Sequence, residues 1–305
     1  MKKILLVCAG IFMVSGLYAL TNATLIDFSI TGDKAALQSK DDAAKSDSDE
    51  IMKLSDIYNP NWAVVLNDSA QMIENRKLSY CSDVTSQSKG KVLGVRIHFP
   101  TAPWNSYGLV KPPFEFEIYG GPDGTRFMDG KGVLKNVGTI RSISSWVCGR
   151  NYVVNYIVNI KNDQEAVSAH SLGYLNFVGW SQVKWDNPNY LANARDRVLR
   201  RVPLYPRSTP SVKLDSLQFY RTADNLGGNF VAYVKDVAME FEEAVIDKDA
   251  DIDDEGVWGI LKAESDRKKA LENRRLKEIR ELRDLEERRI AGSAKGSTST
   301  ASTNK

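Results

Sequence analysis

The chain has 305 residues, of which 42% are hydrophobic and 26% are charged, with 41 Lys and Arg against 39 Asp and Glu. These values are typical of a globular protein with one large domain or two small ones, and a net charge of +2 argues against a nucleic-acid binder, which needs a basic excess to neutralise phosphates. Two His and three Cys exclude a disulfide-dense scaffold and leave little material for a histidine-based hydrolase.

The N-terminal residues have the pattern of a secretory signal peptide. Lys2 and Lys3 precede an apolar run over residues 4–17, and small or turn-forming residues follow up to Ala19. A membrane anchor fits less well, because the run is shorter than the roughly 20 residues that span a bilayer. We therefore expect cleavage after residues 1–19, export and no membrane insertion. Cleavage leaves equal numbers of basic and acidic residues, which favours self-association.

Two cysteines, Cys81 and Cys148, remain after this cleavage. An oxidising compartment would allow them to form one disulfide. A bridge requires Cα atoms within roughly 7 Å of each other. The sequence leaves two alternatives open, a disulfide between Cys81 and Cys148 or two buried thiols.

The segment after the signal peptide looks too polar to fold. Residues 31–50 are charged and contain no aromatic side chain, so they cannot bury enough surface to offset the entropy of ordering. A helix starting at Ala35 would offer only alanines and Leu37 as its apolar side. We expect a flexible N-terminal arm over residues 20–50.

Residues 51–245 change to short alternations of apolar and polar side chains separated by Gly, Pro, Asn and Asp. Period-two alternation indicates strands with one solvated face. Many such strands with turn signals between them predict a mainly β fold, an antiparallel β-sandwich of the jelly-roll kind. The most informative alternations are residues 95–99, 114–118, 154–160 and 237–242.

Two segments of opposite charge flank the last strands. Three prolines predict that residues 195–210 form an exposed extended arm rich in Arg, and residues 246–257 form an acidic, solvated linker. We expect the two segments to meet between neighbouring copies of the chain; pairing within one chain or plain solvation are the alternatives. The candidate assembly contacts are Arg195, Arg197, Arg200, Arg201, Arg207, Asp249, Asp251, Asp253 and Asp254.

The C-terminal part has a helical charge pattern. Of the 26 residues from 264 to 289, 18 are charged, and many opposite charges stand four residues apart. We predict a charged amphipathic helix over residues 258–290 and a disordered Ser/Thr tail over 291–305. A strict heptad is absent, so a helix that docks on a partner is favoured over a long coiled coil. The apolar stripe comprises Leu271, Leu276, Ile279, Leu282 and Leu285.

Catalytic and metal-binding signatures fit the sequence poorly. Residues 124–131 imitate a phosphate-binding loop but have one residue too many between the glycines. The alternating aspartates of residues 247–253 lack the glycine and glutamate of a calcium loop. Glu115 and Glu117 could serve as a glycosidase pair, although the solvated side of a strand explains them equally well. We predict a protein without enzymatic activity, cofactor or bound metal.

Several aromatic residues form a candidate surface for recognition. Such rings can stack on sugars across one face of a sandwich, and they can equally serve in packing or in contacts with another protein. The candidate aromatic surface comprises Trp104, Tyr174, Trp180 and Trp185.

Long motifs in the sandwich region resemble the spirochaete periplasmic flagellar filament outer-layer protein family, FlaA. They are GVLKNVGTIRSISSWVCGRNY at 132–152, LGYLNFVGWSQVKWDNPNYL at 172–191, RDRVLRRVPLYPRSTPSVKLDSLQFYR at 195–221 and GGNFVAYVKDV at 227–237.

The resemblance covers about residues 51–245. It implies a non-enzymatic subunit of the sheath around the flagellin core in the periplasmic filament, with flagellin subunits and neighbouring coat proteins as partners. It also implies a sandwich like that of carbohydrate-binding modules, with a glycan as an alternative ligand. The acidic linker, the charged helix and the Ser/Thr tail depart from the shorter family pattern, which puts in doubt any interface inferred from shorter members.

Overall fold

The computed structural model describes residues 20–43, 52–116, 127, 130–199, 205, 210–244 and 252–299. The predicted signal peptide lies outside these residues. The strands are β1 (Leu20–Asp27), β2 (Ala63–Leu66), β3 (Tyr80–Ser86), β4 (Gly90–Phe99), β5 (Ser106–Lys111), β6 (Val133–Lys135), β7 (Val137–Arg150), β8 (Val154–Asn162), β9 (Val167–Tyr174), β10 (Val178–Asp186), β11 (Ser211–Arg221) and β12 (Gly228–Glu243). The helices are α1 (Phe28–Thr31), α2 (Lys34–Ala43), α3 (Ile73–Leu78), α4 (Tyr190–Leu199), α5 (Asp254–Trp258) and α6 (Ile260–Ser299), with short 3₁₀ turns at Leu54–Ile57, Asn59–Asn61 and Asp68–Ala70.

The strands form two antiparallel sheets. The first sheet has the order β10-β7-β12-β4-β3, and β1 adds to β12 beside β4. The second sheet has the order β2-β5-β11-β8-β9, and β6 adds to β11 beside β5. In each sheet one long central strand is therefore bordered on one side by two shorter strands in succession.

The predicted antiparallel β-sandwich is confirmed. The alternations at residues 95–99, 154–160 and 237–242 fall within β4, β8 and β12, and their apolar side chains point into one core between the sheets. The burial of this face, at about 25 cal/mol per Å² of apolar surface, is the main force that stacks the two sheets.

Aromatic side chains join the two sheets across the core. Phe230 of the first sheet lies with its ring centroid 5.3 Å from that of Phe219 in the second, and Phe219 stacks on Tyr156 at 5.2 Å. The hydroxyl of Tyr156 lies 3.3 Å from that of Ser145, and burial raises the pKa of this tyrosine. A buried phenol with a hydroxyl partner avoids an unsatisfied polar atom in the core.

The prediction of a flexible arm over residues 20–50 is wrong for the part that the structure describes. β1 pairs with the second half of β12, from Leu20 opposite Glu242 to Asp27 opposite Asp236. Leu25 is fully buried in the core. The strand forms because β4 covers only the first half of β12, so β1 satisfies backbone groups that would otherwise stay open.

Helix α2 extends this correction to Ala43. Leu37, which looked too isolated to anchor a helix, is 1% exposed. The carboxylate of Asp41 accepts hydrogen bonds from the backbone of Leu54 at 2.9 Å and Ser55 at 2.7 Å. One apolar residue and one capping carboxylate thus hold a helix whose composition reads as disordered.

The predicted strand at residues 114–118 is not a strand over the three residues that the structure describes. Phe114 and Phe116 are buried while Glu115 points outward, so the alternation is correct although no neighbouring strand pairs with this segment. The two rings pack with Phe127 and Trp62 at centroid distances between 5.6 and 6.3 Å. Aromatic packing replaces the hydrogen-bond ladder here.

Of the two alternatives for the cysteines, the structure has two buried thiols. Cys148 pairs with Tyr233, Tyr233 with Gly94, and Gly94 with Ser82, the neighbour of Cys81. Three strand spacings, about 14 Å, exceed the reach of a disulfide. Cys81 also faces the core while Cys148 faces the outside of the sheet, and burial raises the pKa of the Cys81 thiol to about 12.

Two corrections concern the C-terminal part. Within the predicted acidic linker, α5 forms, and its residue Asp253 accepts a hydrogen bond from the backbone of Gly256 at 3.0 Å as the N-cap. Helix α6 continues to Ser299, past the predicted end at residue 290, because a started helix gains one hydrogen bond for each residue added. No helix among the described residues is long and apolar enough to cross a membrane.

A cluster of charges holds α6 at the outer face of the second sheet. Lys213 and Lys161 lie opposite each other on β11 and β8. Both contact the carboxylate of Glu115, at 2.6 and 2.8 Å, and that of Glu165, at 3.2 and 2.9 Å. Lys268 of α6 adds a contact to Glu165 at 3.4 Å. Glu165 in the β8–β9 turn therefore links sheet and helix.

The side of α6 that faces the sandwich is mainly polar. Ser265, Lys269 and Glu272 are half-buried there, and Leu276 packs against the core. Farther along the helix, Arg280 reaches Asp56 of the 3₁₀ turn Leu54–Ile57 at 3.6 Å. The other apolar residues of the predicted stripe are exposed, namely Leu271, Ile279, Leu282 and Leu285. The helix thus docks on its own sandwich through a different face than its leucines suggest.

Glu165→Gln should lower the midpoint of thermal unfolding at neutral pH and have little effect near pH 2. Burial alone would raise the pKa of Glu165, but the hydrogen bond from Lys161 and the charge of Lys213 outweigh it and lower this pKa from 4.5 to about 2. A carboxylate with a lowered pKa contributes stability that is present above pH 4.5 and is lost as the pH falls through about 2.

Circular dichroism melts from pH 7 to pH 2 measure this difference. The gap between wild type and Glu165→Gln should close between pH 4.5 and 2. Glu74→Gln removes an exposed carboxylate from α3 and serves as the matched control. A gap of constant size across this range would contradict the assignment.

Candidate assembly surfaces

The predicted basic arm begins as a helix. Arg195 and Arg197 lie in α4, where Arg195 is exposed, while Arg200, Arg201 and Arg207 lie outside the described residues. The extended arm is therefore wrong for residues 195–199. Good helix formers fill α4, and the prolines at 203, 206 and 210 all follow its end.

Helix α4 is fastened to the first sheet. The hydroxyl of Tyr190 donates a hydrogen bond to the carboxylate of Glu242, and the guanidinium of Arg141 lies 6.0 Å from the centre of the Tyr190 ring. Asn187, just before the helix, donates to the backbone oxygen of Ile140 at 2.8 Å. These contacts present the basic residues at the edge of the sandwich.

Only two of the four predicted acidic contacts lie among the described residues. Asp249 and Asp251 lie outside the described residues, while Asp253 caps α5 and Asp254 occupies its first turn. Two carboxylates at a helix N-terminus also interact favourably with the helix dipole. Asp253 and Asp254, which the sequence predicts to lie in a solvated linker, therefore have a structural role at the start of α5.

One contact joins the basic and the acidic segments within a single chain. The hydroxyl of Tyr205 lies 3.0 Å from the carboxylate of Glu255 and accepts a hydrogen bond from the backbone of Ile260 at 3.2 Å. Tyr205 belongs to the basic segment and Glu255 to the acidic one. Tyr205 and Glu255 thus lie side by side near the start of α6.

The four predicted aromatic residues do not form one surface. Trp104 lies in the loop between β4 and β5, and Tyr174 lies on β9 of the second sheet. Trp180 is half-buried on the outer face of β10, opposite Cys148. Trp185 packs against the core, 4.2 Å between ring centres from His170, whose pKa is lowered by burial.

Trp104 is held in place by a buried charge. Arg221, 1% exposed, donates hydrogen bonds to three backbone oxygens of the β4–β5 loop, those of Pro100 at 2.8 Å, Ala102 at 2.9 Å and Trp104 at 2.6 Å. Guanidinium donors satisfied in this way can stay charged in the interior. The Trp104 side chain is left 57% exposed on a fixed loop.

An aromatic row on the outer face of the first sheet escaped the sequence prediction. Trp180, Cys148 and Tyr233 are successive cross-strand neighbours, and Trp146 lies two residues before Cys148 on the same face. The ammonium of Lys89 lies 3.7 Å from the centre of the Trp146 ring, a cation–π distance. The period of two in β7, which puts Trp146 and Cys148 on one face, was the signal that could have found it.

Other polar features of the described residues fit no catalytic site. No group of three or more His, Cys, Asp or Glu side chains there is placed to hold a metal ion. A pocket of about 470 Å³ opens between β1 and β6 and is lined in part by Asp27 and Lys135. The carboxylate of Asp27 accepts hydrogen bonds from the backbone and hydroxyl of Ser29, which makes it a helix cap.

Solved structures with a similar fold include carbohydrate-binding modules. One, from a study of promiscuous modules of the β-sandwich superfamily, covers 60% of this chain and 58% of its own at a TM-score of 0.33 and 9% identity. The family 11 module of a Clostridium thermocellum cellulosomal cellulase covers 61% of this chain and 91% of its own at a TM-score of 0.30 and 11% identity. Scores this low place no ligand on this chain.

Sequence relatives are considerably closer. The flagellar filament outer layer protein of Spirochaeta aurantia is 36% identical over 92% of this chain and 90% of its own length. The protein of the same name from Treponema pallidum is 30% identical over 95% of both chains. That of Borreliella burgdorferi is 31% identical over 66% of this chain and 60% of its own.

A family model described as flagellar filament outer layer protein FlaA matches residues 17–250. The match begins before the predicted boundary at residue 51, and it therefore includes β1, α1 and α2, which the structure places in the sandwich. The chain belongs to the flagellar filament outer layer protein family.

Proposed function

We propose that this chain is a structural subunit of the outer layer of a spirochaete periplasmic flagellar filament, where it coats the flagellin core and turns over no substrate. The observation that carries the proposal is the extent of the similarity to named outer-layer proteins. The family model spans the sandwich. The Spirochaeta aurantia alignment covers 92% of this chain, and the part that it leaves out is shorter than α6, so the alignment must include some of that helix. Sandwich and helix both contribute to the match.

The location follows from the N-terminal sequence together with the family. Lys2 and Lys3 before an apolar run favour export through a cleaved signal peptide. The first described residue, Leu20, already pairs with Glu242 in the sandwich, so cleavage near residue 19 would release a folded domain without a dangling segment. We infer that the mature protein lies in the periplasm, on the filament.

A coat requires contacts that repeat along a helical core, and these are heterologous contacts that do not close into a ring. We infer that the basic segment of one subunit contacts the acidic segment of its neighbour. The exposed Arg195 on the fastened helix α4 supports this role. The Tyr205–Glu255 contact is made by other residues than the candidate arginines and aspartates. Contacts between opposite charges would determine how neighbouring subunits align more than how tightly they bind each other.

Reversal of the basic segment should strip the coat. Arg200→Glu with Arg201→Glu places like charges against the acidic segment of the neighbour, so coat protein should be lost from purified filaments or released at lower salt. The added changes Asp249→Arg and Asp251→Arg should restore it. Immunoblots of filaments washed at increasing salt measure the coat that remains.

A matched control separates this contact from a general charge effect. Lys40→Glu with Lys77→Glu makes the same change in net charge at exposed positions of α2 and α3. A specific contact would be contradicted if the control and the Arg200/Arg201 variant lowered the coating equally, or if neither changed it.

A strain that lacks this protein should still assemble flagellin cores. Because a coat that binds unequally around a core biases it toward a curved, stiffer shape, the uncoated filaments should be straighter and the cells should swim less well. Electron microscopy of purified filaments measures curvature, and tracking in viscous medium measures swimming. Normal curvature together with normal swimming would count against a mechanical role.

The aromatic row on the first sheet favours glycan binding as a second candidate function. Trp180 and Trp146 lie half-buried on one outer sheet face, with Tyr233 beside them. Aromatic faces of this kind stack on sugar rings. Calorimetry with peptidoglycan fragments tests it: Trp180→Ala should weaken binding by about tenfold, whereas Trp104→Ala, on a separate loop, should not. Absence of heat with the wild-type protein would remove this candidate.

A further inference from the structure

An apolar stripe on α6 points away from the sandwich. Leu271, Leu282 and Leu285 are 59, 66 and 59% exposed. At about 100° per residue they fall within one narrow sector, roughly 150° around the helix from the half-buried side that docks on the sandwich. Three leucines held in water on a docked, ordered helix form a surface for another protein element.

In one antiparallel register, charged residues around this stripe face residues of opposite charge in a second copy of α6. If two copies of α6 pair antiparallel with the two-fold axis between residues 276 and 277, Leu271 of one copy meets Leu282 of the other. Arg275 then meets Glu278. Farther out, Glu264 meets Arg289, and each of these pairs occurs twice.

A parallel pairing lacks this complementarity. It would set each residue along the stripe against its own copy, so that Arg275, Glu278 and Arg289 would all face like charges. Within one chain, Arg275 contacts the half-buried Glu272 at 3.4 Å, and Glu278 contacts Arg274 at 3.3 Å on the exposed helix surface. Ion pairs between exposed side chains are weak, so Glu278 can exchange Arg274 for Arg275 of a second copy.

We propose that the α6 stripe binds the same stripe of a second copy of this chain, antiparallel, to form a two-fold dimer. The interface is isologous, with the two Arg275–Glu278 pairs nearest the two-fold axis and the three leucines of each copy farther out along the helices. The two sandwiches lie on the outer sides, since each docks on the opposite side of its own helix. The proposal concerns the isolated chain and does not depend on the role in the filament.

Sedimentation equilibrium of the purified protein over a wide concentration range tests the dimer. Arg275→Glu should weaken dimerisation by about tenfold, because it sets like charges together at two symmetric places. The double variant Arg275→Glu with Glu278→Arg should restore wild-type affinity. Lys277→Glu makes the same charge change on a face that points to neither the stripe nor the sandwich, and it should have no effect.

Cysteine crosslinking tests the orientation. The double variant Leu271→Cys with Leu282→Cys should form disulfide-linked dimers, whereas Leu271→Cys alone should not, because its two copies would lie about 16 Å apart along the helices. A protein that stays monomeric at all concentrations would overturn the proposal, and its stripe would then face a different coat component. Crosslinking of Leu271→Cys alone, or a dimer insensitive to Arg275→Glu, would overturn it as well.

Discussion

The pairing of β12 is the constraint on which the rest of the structure depends. Its 16 residues bond to β7 along one side and to β4 and then β1 along the other. Buried backbone groups must find partners, so a strand this long can exist only if both shorter neighbours are in place. This requirement explains why residues 20–27 form a strand of the sandwich.

Prediction from sequence worked where neighbouring residues alone determine the secondary structure. It failed where contacts with residues distant in the sequence determine it. The alternation at residues 154–160 specifies a strand because one face is apolar over its length. Phe114 and Phe116 show the same alternation but do not lie in a strand, and the polar composition after Thr31 conceals a helix that is held in part by Leu37 and Asp41. The charge pattern of residues 264–289 predicted a helix correctly, but no local pattern shows that ion pairs between distant residues, such as Lys268–Glu165, hold this helix against its own sandwich.

The candidate sites show a similar division. Charge runs indicated which segments are basic and acidic, but composition could not tell that Asp253 caps a helix or that Arg195 sits on one. Arg221 reads as a surface residue and is instead the buried support of the loop that carries Trp104. A family of coat proteins needs rigid faces more than a cleft, and these internal supports supply them.

The antiparallel pairing of β1 with β12 has a mechanical consequence for a protein of the filament outer layer. Leu20 lies opposite Glu242, so the beginning and the end of the sandwich emerge at the same end of one hydrogen-bonded ladder. A force that pulls these two ends apart would break the ladder one rung at a time, like a zipper, and would meet little resistance. Load must therefore enter through the faces and edges of the sandwich, and its chain ends are suited to tethering parts that carry no tension.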